Sequence, residues 1–545
     1  MPADPKVAPY EAVVDKLVAE LAALGFAVDR TRLTLEVRGP EETREDLDRQ
    51  QDMLFRPGHF EGLHALLRLF THDVGRDAAE LRRATVDALA GAAAAYYQAD
   101  RDALVFLDTS LARLADIEVL VAHELVHAWQ DQQGDLIAFL ERNKSSLDGV
   151  TVGRCLMEGL AEAVSIALLL GRGGHTLRDL DPGDLDYSLG RIMGGEGGAA
   201  AYQEGLRYMH ARFAAGGWDA VRAALDAPPA SSEQLLHAAK LGRDTTAAVV
   251  LPEWPEDLGP AQPLYQDTLG EAMIRSLLSL RGLSRRDLGR QALGWDGDRW
   301  RVWRTADGGE ALLWRTVWDR EADALDFAGA FLFDAGEHRR DGRVVDFAWA
   351  GDSDVERRLL DAMAAAPDPA PQDADDAETT AAEEAAWESE LARASRVEGD
   401  RWHIPRCGVS LPILSGWAVR EVRGTHVLVR AGTDSFADNA IVVAAPNLEE
   451  RTLDALVERA RTDLDRVGAG IVRGPERLEV AGVPALRLDY EGTMGGDRLL
   501  RFASLNFVRP LLSVSVTVTL AAERWPELEA AVDEILHGIR FDDAP

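Results

Sequence analysis

The chain has 545 residues, 46% of them hydrophobic, and a formal net charge of −34. That length exceeds a single hydrophobic core and implies two to four domains, while the apolar content excludes a disordered chain. The charge repels nucleic-acid phosphates and anionic lipid, so neither is an expected partner. With only Cys155 and Cys407, in different expected domains, there is no disulfide framework.

The N-terminal "MPADPKVAPYEAVVDKLVAEL" lacks a basic stretch followed by an apolar one. The longest apolar run, "SIALLLG", is too short to span a bilayer. A cytoplasmic protein with no membrane insertion is therefore expected. Residues 9–25 predict an amphipathic helix, "RLTLEVR" a short strand, and residues 41–91 mostly helix. Within residues 92–110, "QADRD" signals a turn and "ALVFLD" a strand.

Next comes "LVAHELVHAWQDQQ", residues 120–133, with no Gly or Pro between Leu104 and Gln133. On a helix, His123 and His127 lie one turn apart on one face, where two imidazoles can share a metal. Glu124 stands beside them, placed to take a proton from water without being a ligand. This is the HExxH pattern, and chance would produce about 0.02 such matches in a chain of this composition. A catalytic zinc needs a third protein ligand. The following helical segment, "RCLMEGLAEAVSIALLLG" (residues 154–171), is mostly apolar yet carries Glu158 and Glu162 one turn apart. Buried acids require a partner. Glu158 is the candidate third ligand; Glu162 and Asp131 are candidates to orient the ligands from behind.

These segments, with "YQEGLRYMHARFAAGGW", "PPASSEQLLH" and "GWDGDRW…VWDREADALDF", resemble a bacterial group of glutamate-zincin (gluzincin-like) metallopeptidases. The resemblance spans roughly residues 90–335. It implies Zn2+ held by His123, His127 and Glu158, with Glu124 as general base. It also implies that the strand before the HExxH helix is the sheet edge that pairs with an extended peptide substrate.

Residues 174–201 contain "DPGD" and "GGEGGAAA" and predict a flexible loop or rim. Helical "YQEGLRYMHARFAA" follows, then "PPASSEQLLH". Peptide hydrolysis builds negative charge that needs a donor besides the metal, and Tyr202 and His237 are the catalytic candidates for that role. Residues 298–333 predict strand, turn, strand, helix, with tryptophans on one packed face; a further strand and helix end near Ala366. Residues 367–397 form an acidic Ala/Pro linker. From 398 to 545, alternating strands and two amphipathic helices predict an antiparallel α/β sandwich. Its "LPILSGW" and "LEVAGVPALRLDYEG" resemble the PsbP-like fold, which implies a binding or assembly module.

The expected class is α+β: a mainly helical zincin-like domain over 1–366, then the sandwich domain. The first divides into a helical part (1–91), a catalytic core (about 92–285) and a small αβ part (about 290–366). The expected function is zinc-dependent hydrolysis of peptide or protein substrates, with a protein partner on the C-terminal domain. The alternative is a catalytically silent binding or scaffold protein.

Overall fold

The computed structural model describes residues 6–70, 75–107, 114–180, 195–280, 285–330, 336–367, 395–422, 425–431, 438–447, 451–466, 468–493, 498–509 and 511–541, with scattered positions between 369 and 389. It is an α+β protein with mainly antiparallel sheets. Two compact units divide it: residues 1–168 with 188–387, and residues 388–545 with 169–187.

The first unit begins with α1 (Ala8–Ala23), β1 (Thr34–Arg38), α2 (Pro40–Leu54), α3 (His59–Leu67) and α4 (Ala78–Ala92). The hairpin β2 (Ala95–Gln98) and β3 (Ala103–Leu107) follows. The sheet order is β1-β3-β2, with β1 parallel and β2 antiparallel to β3. The strand expected at the sheet edge, "ALVFLD", is therefore central, and β2 is the edge. Ala103–Leu107 is a continuous apolar run, buried at every position, which suits a strand covered on both sides.

Then come α5 (Leu114–Gly134), α6 (Leu136–Asn143) and α7 (Leu147–Arg172). Val121, Ala122, Leu125, Val126 and Ala128 of α5 are fully or almost fully buried. Burying each of the larger ones contributes about 1.5–3 kcal/mol. Helix α8 (Gly195–Asp226) starts seven residues earlier than the "YQEGL" segment suggested, so part of the expected glycine-rich loop is helix. Residues 181–194 of that stretch lie outside the described residues. The short α9 (Ser232–Leu236) is capped by the Ser231 hydroxyl, which accepts from the Gln234 N–H.

A five-stranded antiparallel sheet follows, ordered β4-β5-β6-β8-β7. Its elements are β4 (Ala261–Asp267), α10 (Glu271–Ser279), α11 (Arg285–Ala292), β5 (Trp295–Thr305), β6 (Glu310–Trp318), α12 (Glu321–Ala330), β7 (Glu337–Asp341), β8 (Val344–Trp349) and α13 (Ser353–Ala364). The αβ part thus begins at β4, inside the stretch assigned to the catalytic core, because β4 pairs with β5. The hairpin β7–β8 replaces the single further strand. The tryptophans divide between two faces. Trp295, Trp300, Trp314 and Trp318 pack in one core, and Trp303 in another with Leu359, Leu360 and Met363 of α13. Both faces of this sheet are covered, so alternation did not reveal a single apolar side.

This αβ part also fixes the start of α7. The Leu147 N–H donates to Asp267 at 2.9 Å, and Asp148 accepts from the Ser232 N–H at 3.1 Å. Asp298 in turn accepts from the Leu269 and Gly270 N–H groups and from the Trp314 indole N–H. Buried carboxylates take the place of water for the backbone donors at this junction.

In the second unit, a four-stranded sheet is formed by β9 (Arg396–Glu398), β10 (Arg401–Ile404), β11 (Val409–Pro412) and the C-terminal β19 (Arg540–Phe541), in the order β19-β11-β10-β9. A seven-stranded antiparallel sheet runs β12-β13-β14-β18-β17-β16-β15. Its strands are β12 (Trp417–Val422), β13 (Thr425–Arg430), β14 (Asn439–Pro446), β15 (Gly470–Val480), β16 (Val483–Thr493), β17 (Leu499–Arg509) and β18 (Leu512–Ala521). Helices α14 (Leu453–Arg466) and α15 (Trp525–His537) complete the unit. On β18, Val514, Val516 and Val518 enter the core with Trp525, Val532 and Ile535 of α15, as the strict alternation indicated.

Candidate metal centre

Helix α5 brings His123 and His127 together, and α7 supplies Glu158. The His123 and His127 Nε2 atoms lie 3.2 Å apart. The Glu158 Oε2 atom is 3.2 Å from the first and 3.4 Å from the second. Ligand atoms about 2.0–2.2 Å from a tetrahedral zinc stand about 3.3–3.6 Å from one another. The three donors therefore converge at the spacing such an ion requires, and their two-nitrogen, one-oxygen chemistry suits zinc among other divalent metals. It is the one such group of metal-ligating side chains among the described residues.

The tautomer of His127 follows from its neighbour. Its Nδ1 lies 2.7 Å from the Gln130 Oε1, and the Gln130 Nε2 donates to the Met157 carbonyl at 3.0 Å. With the amide anchored that way, Gln130 presents its oxygen to His127. The ring proton then sits on Nδ1, and the Nε2 lone pair points at the other donors. Sequence reasoning missed Gln130, although its place three residues after His127 on the same helix was the available signal.

Glu124 is held differently. Its Oε2 accepts the Tyr97 N–H at 2.8 Å, from the edge strand β2. Burial pushes this carboxyl up, against the pull of the two imidazoles. That direction suits a group that must pick up a proton near neutrality. Burial opposes ionisation of Glu158 too, but the two imidazoles against it outweigh burial and hold it well below the usual carboxylate range. For His127, burial works against the charged ring, yet the adjoining Glu158 lifts it to about 9; a metal bound at Nε2 would displace that added proton and leave the one on Nδ1.

Tyr97 is a second residue that sequence reasoning missed. Its hydroxyl donates to Asp131 at 2.8 Å, and Asp131 also accepts the Leu136 N–H. Asp131 thus acts on the edge strand that holds Glu124, and the role foreseen for it behind a histidine falls to Gln130. Glu162 is fully buried one turn beyond Glu158 on α7.

Tyr202 reaches the site on α8. Its ring stacks on His123 with centroids 5.8 Å apart. The reason is a close helix crossing. A Cβ on Gly159 of α7 would lie 2.2 Å from the Gly205 carbonyl carbon, and one on Gly205 would lie 2.0 Å from the Cys155 carbonyl oxygen. Only glycine at both positions lets the two backbones touch, and the contact sets Tyr202 beside His123. Burial first, then the Glu158 charge, keeps the Tyr202 phenol protonated far above its ordinary range. His237 is paired with Glu271 of α10. Its Nε2 meets both Glu271 oxygens at 2.9–3.0 Å, and Arg275 pairs with the same carboxylate.

Residues 262–374 match DUF8575, a domain of unknown function. That segment corresponds to most of the five-stranded αβ part and to a minority of the chain. No curated protein matches the sequence. Structural neighbours include the cyanobacterial PsbP of Synechocystis sp. PCC 6803, at 15% identity and a TM-score of 0.22, covering 27% of this chain and 96% of that one. They also include LpqN, involved in cell envelope biogenesis of Mycobacterium tuberculosis, at 15% identity and a TM-score of 0.20, covering 24% of this chain and 81% of that one.

Proposed function

We propose that the protein is a zinc-dependent peptidase. The observation that carries this reading is the convergence of His123, His127 and Glu158 within 3.2–3.4 Å, with Glu124 held beside them by a separate anchor. A purely structural metal site would have no use for an extra buried carboxyl one residue from a ligand. When bound, the ion would act as a Lewis acid toward a carbonyl and lower the pKa of water.

The chain's own residues supply the rest. Glu124 accepts the proton of the attacking water and passes it to the leaving amine. The protonated Tyr202 phenol donates toward the charge that develops on the carbonyl oxygen. The edge strand supports a peptide as substrate. Because the Leu107 N–H donates to the Ala94 carbonyl across the hairpin, Ala95 and Tyr97 turn their backbone groups away from β3, and of these the Tyr97 N–H is already held by Glu124. An extended peptide beside β2 would be read by its main chain.

Residues 398–545 are read as a PsbP-like binding module that recruits a protein partner. The cytoplasmic location stays part of this proposal; no helix among the described residues is long and apolar enough to cross a membrane. The test is a peptide-library digest with purified protein. Cleavage abolished by chelator and restored by zinc supports the reading; no cleavage of any peptide by zinc-loaded protein favours the silent binding protein.

A further inference from the structure

Arg154 lies on α7 one turn before Glu158, on the same face of the helix. It is half-buried, and it has no hydrogen-bond or ion-pair partner among the described residues. That is unusual in this chain. Arg83, Arg243 and Arg420, which share this lack, are exposed and solvated, and half-buried Arg212 lies over the Tyr208 ring. Two other arginines taken out of water are matched: buried Arg315 forks onto Asp346, and half-buried Arg38 meets Glu36 and Asp46. With 93 acids against 59 basic residues, a partner was available to selection at almost any position.

The surroundings of Arg154 point toward the candidate centre. An i to i+4 step on a helix rises about 6 Å, within the reach of an arginine side chain. A guanidinium at that offset sits about one residue of extended peptide, ~3.3 Å, or two from a group bound at the ligands. It offers a planar pair of N–H donors that matches a carboxylate.

We propose that Arg154 is a specificity-determining residue that binds a carboxylate of the substrate, placed within one or two residues of the scissile bond. This rests on the peptidase reading and deepens it: the preferred substrates are acidic at that position. The chain's overall negative charge does not oppose this at close range, because exposed charges farther away than about 8–10 Å are largely screened at physiological salt. The carboxylate has two sources, the peptide C-terminus or an Asp or Glu side chain, and the experiment separates them.

Three hydroxamate-capped dipeptides serve as probes: one ending in a free carboxylate, one in a carboxamide, and one in a carboxamide but carrying a glutamate side chain. Their affinities are measured by calorimetry on the zinc-loaded full chain, its Arg154→Ala and its Arg154→Lys variants, alongside zinc content. The expected result is that one carboxylate-bearing probe binds the parent about tenfold or more tightly than the neutral one. Arg154→Ala abolishes that preference while zinc content and neutral-probe affinity stay unchanged, and Arg154→Lys recovers part of it. Which acidic probe wins identifies the source. No preference in the parent, survival of the preference in Arg154→Ala, or an equal loss for all three probes would each overturn the proposal. If the parent retains no zinc, the peptidase reading fails separately. The same probes titrated into the metal-free chain then decide Arg154 alone, since ion pairing with a guanidinium does not require the metal.

Discussion

Gly205→Ala tests whether the crossing of α7 and α8 builds the site. A Cβ there would lie 2.0 Å from the Cys155 carbonyl oxygen and 2.9 Å from both the Cys155 carbonyl carbon and the Gly159 Cα. Carbon and oxygen tolerate an approach of about 3.3 Å, so the helices must separate by about 1 Å. The obstruction is backbone on a buried helix face, which cannot swing aside as a flexible side chain would. Overpacking of this kind costs about 1–3 kcal/mol. The same displacement moves Tyr202 away from His123, and about 1 Å of misplacement in a catalytic constellation can cost roughly 10²-fold. Gly91→Ala is the control, since a Cβ there meets nothing within 4 Å. It should be neutral, or stabilise by about 0.5–1 kcal/mol, as for glycine replaced inside a helix. Urea unfolding and peptide cleavage are measured on parent and both variants. A Gly205→Ala protein with the parent's unfolding midpoint and cleavage rate would refute the reasoning.

Gln130→Leu removes the acceptor that fixes the His127 tautomer, so zinc affinity measured against a competing chelator should fall about 10–100-fold; an unchanged affinity would show that the tautomer is set elsewhere. Asp148 is pushed up to about 7, chiefly by burial, despite the N–H it accepts from Ser232. Its folded form binds a proton more tightly than the unfolded carboxyl near 3.9, so its stabilising contribution is full below about pH 4 and lost as pH rises toward 7. Asp148→Asn carries no such charge, and its melting temperature should gain on the parent's between pH 5 and pH 8; a constant difference over that range would contradict the buried-charge explanation.

The part of the site that lies on helices was legible because a helix turns spacing into geometry. His123, His127 and Glu158 each fell on the face that four-residue spacing assigns, and the donors do converge. Tyr202 was reachable too, although the reason for its position, glycine against glycine, lies in pairing two distant segments. What stayed hidden depended on pairing that no local pattern encodes. "ALVFLD" reads equally well as an edge or a central strand until β1, some 70 residues earlier, is known to lie against it. Tyr97 contributes through a backbone N–H, which carries no residue signature. His237 is placed by Glu271, 34 residues on, a pairing no local pattern encodes. The tryptophans of β5 and β6 suggested one face because a sheet buried on both sides has no polar side to alternate against. In the second unit, the alternation on β18 was plain, whereas β9, β10 and β19 are two to four residues long and too short to show any period.

The central claim is that α5 and α7 together hold a catalytic zinc, with Glu158 as ligand and Glu124 as base. The most direct measurement is zinc stoichiometry by elemental analysis, made side by side on the parent, Glu158→Ala and Glu124→Gln after equilibration with zinc and gel filtration. The account expects about one zinc per chain in the parent and in Glu124→Gln, and substantially less in Glu158→Ala. A parent that retains no stoichiometric metal, or a Glu158→Ala variant that holds zinc as firmly as the parent, would contradict it.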